Sequence, residues 1–306
     1  MKISGLTLAR KAVKFDYPLV ESIQSAIDLC DEYLVNIGQD DEDTFCLLKQ
    51  EFPTPKLRIL RPFWDDTIRE KGLIFSTQTN EGLDQCQGDW ILYLQADEVI
   101  HEQDLEKLRA ALEHEKDPTI EGFELPFIHF YGRYDVVQDH PRKWHTKTIR
   151  VVRRRPEIRS WDDAAGFRVL GGPRERMLKT KLLPVTVYHY GWCRHPRFMF
   201  EKQRFLERYY HSDDWVKEEY AAIDSNTIYQ DTGHLEYFTG THPKVMQARV
   251  TAQSWSWNPH IEHRIATWLR HFYLKWFYKW EVKWGSLQRA LKRLKKGVRP
   301  LFRGRG

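Results

Sequence analysis

Long apolar runs are missing from this chain of 306 residues. No window holds the 18 or more apolar residues that a membrane-spanning helix requires. The stretch from Met1 to Leu6 does not lead into the apolar core of a signal peptide. These absences predict a cytoplasmic protein, or a peripheral one on the inner face of a membrane.

Cysteine is scarce, and its four residues form no CxxC pair: Cys30, Cys46, Cys86 and Cys193. This pattern argues against a zinc site or a disulfide framework and favours a reducing compartment. Two glycine-rich signatures are also missing, since no GxGxxG follows the first predicted strand and no GxxxxGK precedes a Ser or Thr. A bound nucleotide must therefore be held by side chains and a metal.

Acidic residues are nearly missing from the C-terminal segment. From Arg264 onward the chain has 13 Lys and Arg but one acid, Glu281, whereas residues 1–263 carry 35 basic and 42 acidic residues. The net charge of +5 therefore belongs to one segment. It does not indicate a specific nucleic-acid partner.

The same segment repeats aromatic residues every four positions: Trp268, Phe272, Trp276, Trp280 and Trp284. Aromatic and basic side chains on one amphipathic helix fit the surface of an anionic membrane. We therefore predict a helical, basic extension over residues 246–306 that binds such a surface. The alternative is that the aromatic stripe packs on the body of the protein or on a partner subunit.

Predicted strands and helices alternate through the first hundred residues. Strands are predicted at 3–9, 33–37, 57–60 and 90–94, with helices between them at 18–29, 44–51 and 72–86. This order predicts an α/β fold with a mostly parallel central sheet and flanking helices. Further strands are predicted at 122–131, 148–153 and 182–190, and a long helix at 196–220.

Two acids follow the most apolar of these strands. The run from Trp90 to Leu94 is typical of a strand covered on both faces, and Asp97 and Glu98 come just after it. Ligands bind at the carboxyl ends of strands in open α/β sheets, and carboxylates suit Mg²⁺ or Mn²⁺. The alternative is that both acids favour the start of a helix predicted at 101–115.

Several sequence blocks together resemble the GT-A glycosyltransferases of family 2. The acidic turn at 36–44 and the helix–strand–DXD-like segment at 78–98 are similar to that family. A bacterial subgroup is closer still, through the blocks VKFDYP at 13–18, YLQADE at 93–98, HFYG at 129–132 and YHYGWCRHP at 188–196. The resemblance covers roughly residues 1–245.

The resemblance implies a metal-dependent, inverting glycosyltransferase with a Rossmann-like GT-A fold. Such an enzyme moves a sugar from a nucleotide-sugar donor to a glycan or lipid-linked acceptor in the synthesis of envelope polysaccharides or glycoconjugates. Residues 1–98 would form the nucleotide-binding half of the domain and residues 99–245 the acceptor half.

The resemblance also implies roles for individual residues. Asp97 and His189 are expected to bind a divalent metal, Mn²⁺ or Mg²⁺, with His195 as the alternative histidine. The usual first Asp of the motif is replaced by Gln95, which cannot bind a cation strongly. The expected general base is Asp163, with Asp162 beside it as the alternative. A set of residues is expected to bind the nucleotide sugar: Leu8, Arg10, Asp41, Glu42, Asp43, Lys71, Asn80, Gln95, Ala96 and Arg194.

Two other functions are compatible with parts of the sequence. A nucleotidyltransferase pairs a similar α/β domain with metal-binding carboxylates, but the basic loop at 10–14 lacks the glycine that such enzymes use. A non-catalytic membrane adaptor with a degenerate domain would explain Gln95. Loss of turnover in Asp97→Ala would argue against the adaptor.

Overall fold

The structure is a computed structural model that describes residues 1–138, 144–171, 175–229, 234–259 and 261. One compact unit spans Met1–His260. The predicted aromatic stripe from Trp268 to Trp284, and the basic residues after it, lie outside the described residues.

The described helices are short and flank the sheet. They are α1 (Leu19–Gln24), α2 (Glu42–Glu51), α3 (Leu73–Gln85), α4 (Leu105–His114), α5 (Pro196–Leu206), α6 (Asp213–Ala221) and α7 (Gln247–Thr251). Single turns of 3-10 helix occur at Glu102–Asp104, Glu207–Tyr209, Ser225–Thr227 and Lys244–Met246. Among the described parts of the chain, no helix is long and apolar enough to cross a membrane.

The strands divide into an N-terminal and a C-terminal group. The first group is β1 (Ile3–Leu8), β2 (Glu32–Asn36), β3 (Leu57–Leu60), β4 (Trp90–Gln95) and β5 (Glu98–Ile100). The second group is β6 (Gly122–Tyr131), β7 (Arg133–Gln138), β8 (Lys147–Arg153), β9 (Ile158–Trp161), β10 (Gly166–Val169), β11 (Arg176–Met177), β12 (Thr180–Leu182), β13 (Val187–Trp192) and β14 (Leu235–Tyr237).

Four strands of the N-terminal group form a parallel sheet in the order β3-β2-β1-β4, and β5 pairs antiparallel with β13. Strand β4 is covered on both faces: Trp90, Leu92 and Leu94 belong to one apolar cluster, and Ile91 and Tyr93 belong to another. This alternation explains the continuous apolar run in the sequence. The predicted α/β fold is confirmed.

The sheet is mixed rather than mostly parallel. Beyond β4 it continues through β8, β6, β7 and β14, and each neighbouring pair in this part is antiparallel. For the pair β6 and β7 the reason is their short connection, where Gly132 adopts a positive φ of 70° and reverses the chain. A parallel pair would need a long crossover.

Two predicted elements are interrupted in the structure. The strand expected at 182–190 is divided into β12 and β13, and the segment between them contains Pro184, which cannot donate to a strand ladder. The helix expected at 196–220 ends at Leu206, and a new helix begins after Ser212, whose hydroxyl accepts a hydrogen bond from the Trp215 N–H. Serine is a favoured cap at such a position.

Candidate functional site

A cavity of about 440 Å³ lies where β1 and β4 end. Its walls include seven of the residues that were expected to form the site: Leu8, Arg10, Gln95, Ala96, Asp97, Asp163 and His189. The parallel pairing of β1 with β4 brings Leu8 opposite Gln95, so both strands deliver their last residues to one place. This is the edge at which α/β sheets bind ligands.

Asp97 is buried and surrounded by cations. Its Oδ2 accepts a hydrogen bond from the Lys202 ammonium at 3.0 Å and lies 3.6 Å from the guanidinium of Arg194. Burial alone would raise the pKa of the Asp97 carboxyl, but nearby groups, of which Lys202 has the largest effect, hold that pKa well below its usual value. Asp97 is therefore an anion at neutral pH.

Lys202 comes to this site from helix α5. The helix begins with His195 as its cap and Pro196 in its first turn, and it buries Lys202 one and a half turns further on. The ammonium donates to Asp97 and to the Gly191 carbonyl at 2.9 Å. Burial, and next the nearby Arg194, lower the pKa of Lys202 to about 8, although Asp97 opposes the change.

Glu98 points away from the cavity, although it adjoins Asp97 in the sequence. Both of its carboxylate oxygens accept hydrogen bonds of 2.7 Å from Arg150, and both side chains are fully buried. One oxygen also accepts from the backbone N–H of Gln95 at 3.1 Å. Glu98 therefore holds the strand end in place and leaves Asp97 as the carboxylate at the site.

Contacts among His129, His145 and His189 determine which ring nitrogen of His189, the histidine beside Asp97, carries a proton. The Nε2 of His129 lies 2.7 Å from the His145 carbonyl, which can only accept, so His129 carries a proton on that nitrogen. With a neutral ring, the Nδ1 of His129 accepts from His189 Nδ1 at 2.9 Å. Burial lowers the pKa of His189 well below its usual value, so His189 is neutral with its lone pair on Nε2.

The side chains around Asp97 fit a divalent cation only in part. The Nε2 lone pair of His189 lies 3.8 Å from Asp97 Oδ1, which places one nitrogen and one oxygen ligand on the same side of the cavity. Within the described residues, no group of three His, Cys, Asp or Glu could hold a metal. The pair therefore fits a cation completed by phosphate oxygens, as Mg²⁺ often is, and not one held by protein alone.

Asp163 reaches the cavity from the turn between β9 and β10. The two residues that flank it have left-handed backbones, with φ of 47° at Asp162 and 61° at Ala164. Such conformations are rare for residues other than glycine and are found at functional sites. The Tyr210 hydroxyl donates to Asp163 Oδ2 at 3.2 Å. Asp163 lines the cavity and Asp162 does not.

Arg10 forms part of the cavity wall, but both terminal nitrogens of its guanidinium already have carboxylate partners. One terminal nitrogen donates to Asp40 at 2.8 Å and the other lies 3.2 Å from Asp66, while the guanidinium stacks over Trp64. The Tyr209 hydroxyl donates to Asp66 at 2.8 Å. The arrangement builds a rigid, aromatic wall at the β1 end of the cavity.

Six residues expected to bind the nucleotide sugar do not line the cavity: Asp41, Glu42, Asp43, Lys71, Asn80 and Arg194. Asp41 accepts the Lys11 N–H at 2.6 Å, and Glu42 pairs with Arg61 at 2.8 Å. Asp43 lies exposed in the first turn of α2. Asp41 and Glu42 thus have partners within the protein, and binding of the nucleotide by the three acids stays a prediction.

The other three of these residues, Asn80, Lys71 and Arg194, lie in different environments outside the cavity wall. Asn80 bonds the Ser160 backbone N–H and carbonyl, which ties α3 to β9. Lys71 is exposed, with a left-handed φ of 51°. Arg194 is buried behind Asp97 and donates to the Phe15 carbonyl at 2.6 Å.

Sequence reasoning missed ten residues of the cavity wall: Ala9, Tyr17, Trp64, Phe75, Tyr93, Ala164, Trp192, Lys202, Leu206 and Tyr210. Of these, Lys202 stands in a recognisable sequence pattern. Met199, Lys202 and Leu206 lie three to four positions apart, so they share a helix face, and a lysine on an apolar face needs a buried partner.

Residues 67–169, about a third of the chain, match the sequence profile described as glycosyl transferase family 2. The matched segment includes the end of β4 and the turn that carries Asp163. No curated protein sequence matches the chain.

Among solved structures, the chain is similar to residues 1–349 of S. aureus TarS in complex with UDP-GlcNAc. The identity is 14%, the coverage is 72% of this chain and 71% of that chain, and the TM-score is 0.41. It is also similar to 4-diphosphocytidyl-2C-methyl-D-erythritolsynthase from Anaerococcus prevotii, with 14% identity, coverage of 50% and 71%, and a TM-score of 0.34.

Proposed function

We propose that this glycosyl transfer enzyme, related to glycosyl transferase family 2 through residues 67–169, uses a nucleoside diphosphate sugar as its donor. The sugar passes to a hydroxyl group of a glycan or lipid-linked acceptor in polysaccharide or glycoconjugate synthesis. In this proposal, residues 1–98 bind mainly the nucleotide and residues 99–245 mainly the acceptor.

One observation carries the proposal. The ion pair of Asp97 with Lys202 and the carboxylate of Asp163 line the same cavity of about 440 Å³. Cleavage of a glycosyl diphosphate needs a positive charge for the departing diphosphate and a base for the incoming hydroxyl. The volume lies within the range typical of ligand pockets.

The proposed reaction is a single displacement. The acceptor oxygen forms a bond to the anomeric carbon, its proton passes to Asp163, and the bond from the anomeric carbon to the diphosphate oxygen breaks with its electron pair. One displacement inverts the configuration at the anomeric carbon. Asp163 is preferred to Asp162 because Asp163 lines the cavity.

Asp97 Oδ1 and His189 Nε2 are the atoms that would hold a divalent cation, with the donor's phosphate oxygens completing its coordination. A bound cation would supply Lewis-acid stabilisation of the diphosphate. On the protein side, the bond from His189 to His129 orients the ring, and the bond from Lys202 fixes the carboxylate of Asp97.

Calorimetric titration with UDP, GDP and dTDP, in Mn²⁺ and in EDTA, tests the donor site. We expect one diphosphate to bind more tightly than the others and to lose most of its affinity in Asp97→Ala. If none of the three binds under either condition, the proposed donor class is wrong. Sugar transfer from the matching nucleotide sugar would then be measured, with the anomeric configuration of the product determined by NMR.

A further inference from the structure

The ammonium of Lys202 is the one cationic side chain that is both buried and in direct contact with Asp97 at the cavity wall, among the described residues. Arg194 lies farther from Asp97, at 3.6 Å, and does not line the cavity, and Arg10 is engaged by Asp40 and Asp66. Burial of a lysine costs free energy because it removes the hydration of the ammonium, and this cost is offset only where the ammonium interacts with other polar or charged groups.

The hydrogen bonds of Lys202 leave a donor for a ligand. An ammonium carries three N–H groups, and the described acceptors are Asp97 Oδ2 at 3.0 Å and the Gly191 carbonyl at 2.9 Å. These two hydrogen bonds hold the ammonium in place at the cavity wall. The remaining N–H can donate to an anion in the cavity.

The local charge also calls for an anionic ligand. Asp97 carries one negative charge, and Lys202 and Arg194 together carry two positive charges around it. These three side chains together carry a charge of +1, and all three are buried, so that their electrostatic interactions are stronger than at the surface. The tyrosine ring of Tyr17 lies against both cations and contributes no charge.

We propose that Lys202 is a catalytic residue that binds the diphosphate of the donor and stabilises the charge left on it, and that Asp97 also acts as a positioning residue for Lys202. The inference rests on the proposed donor class. As the bond between the anomeric carbon and the diphosphate oxygen breaks, its electron pair stays on that oxygen, and Lys202 donates a hydrogen bond to the diphosphate. The ammonium keeps its proton.

The test is binding of UDP, GDP and dTDP in EDTA, where no divalent cation contributes. For the diphosphate that binds, we expect Lys202→Met to weaken affinity by about 10- to 100-fold, the usual effect of one charge-assisted hydrogen bond. Affinity for the corresponding nucleoside, which has no phosphate, should change less than about twofold. Lys202→Arg should restore part of the lost affinity.

Two further variants keep the result interpretable. Lys14→Met removes an exposed lysine that does not line the cavity, so it matches the loss of charge and should leave affinity unchanged. Asp97→Asn with Lys202→Met removes both charges together, so it avoids an unpaired buried carboxylate if Lys202→Met does not fold. This double variant should show the same selective loss of diphosphate affinity.

The outcomes separate this inference from the proposed function. Diphosphate binding in EDTA that is equal in wild type and Lys202→Met overturns the role of Lys202. Binding that occurs only with Mn²⁺, and is unchanged in Lys202→Met, also overturns it but leaves the donor class standing. Failure of all three diphosphates to bind, with or without Mn²⁺, removes both.

Discussion

At the scale of single residues, two neighbouring acids at the end of β4 have opposite environments. Asp97 faces the cavity and a set of cations, whereas Glu98 is sealed in a pair with Arg150. The sequence placed both acids at a strand end, and the family resemblance favoured Asp97 as the metal ligand, but neither predicted the surroundings of the two side chains. These surroundings depend on Arg150, 52 residues away, and on Lys202, 105 residues away.

The turn that carries Asp163 offers a paired test of the general base. Asp163→Asn should lower kcat by about 10²- to 10⁴-fold, the usual contribution of a general base, while donor affinity stays near that of wild type. Asp162→Asn is the matched control, because Asp162 does not line the cavity. Equal losses in the two variants would contradict the assignment of Asp163.

Glu121 provides a prediction about pH. Bonds from the Arg176 guanidinium, at 2.7 Å to both oxygens, lower the pKa of this buried carboxyl to about 2. The folded pKa is below the unfolded one, so the stabilisation is complete above about pH 4.5 and is lost as pH falls toward 2.

Denaturant unfolding of Glu121→Gln checks this expectation. At pH 7 the variant should be less stable by about 1 kcal/mol, a modest value because Arg176 is half-exposed and screened by water. The difference between variant and wild type should shrink as pH falls from 4.5 to 2. A difference that stays constant across that range would show that ionisation of Glu121 is not its source.

At the scale of elements, β13 brings His189 close to Asp97 because Gly191 has no side chain. A Cβ at Gly191 would overlap the His189 ring and come within 3.1 Å of Asp97 Oδ2. Gly191→Ala should therefore displace the ring and lower kcat/KM by about 100-fold, the effect of a displacement of about 1 Å at a catalytic group.

The control for this substitution is Gly166→Ala in β10. A Cβ there would meet Thr148 at 3.8 Å, an ordinary contact, so activity should stay close to that of wild type. Activity of Gly191→Ala equal to that of the control would mean that the position of His189 does not matter for turnover.

The same scale shows what the sequence could predict. Strands β1 to β4 and the site at the end of β4 were predicted because apolar periodicity and acid placement are local signals. The resemblance to family 2 glycosyltransferases is confirmed by the match of residues 67–169. The antiparallel half of the sheet was not predicted, because strand direction is set by pairing between distant segments.

Lys202 and His129 were missed for a related reason. Each acquires its role from a contact across the fold, to Asp97 and to His189. His129 begins the block HFYG at 129–132, but that block carried no role for it. The acidic turn at 36–44 differs from these two residues, because it was expected to bind the nucleotide; Asp41 and Glu42 contact Lys11 and Arg61, and their role in binding stays a prediction.

At the scale of the whole molecule, the compact unit Met1–His260 contains the cavity, and the basic segment follows it in the chain. We propose that this segment attaches the enzyme to an anionic membrane. A chain that ends at His260 should keep its unfolding midpoint within about 2 °C and keep its diphosphate affinity, because the core lies within that unit.

Sedimentation with lipid vesicles measures the attachment. The full chain should bind vesicles containing phosphatidylglycerol, and the shortened chain should not, since each basic residue near an anionic surface contributes about 1 kcal/mol. Vesicles of neutral lipid are the control for the charge. Equal binding of the full and shortened chains would contradict a membrane role for the C-terminal segment.

The buried ion pair of Glu98 and Arg150 restricts which substitutions the protein can accept at these two positions. Replacing either residue alone would leave a charge of one sign inside the sheet, at a cost of about 3 to 5 kcal/mol, which is a large part of the stability of a typical domain. Replacing both with apolar side chains of similar volume costs far less. Among related sequences, these two positions should therefore change together, and such paired changes should leave Asp97 unaltered.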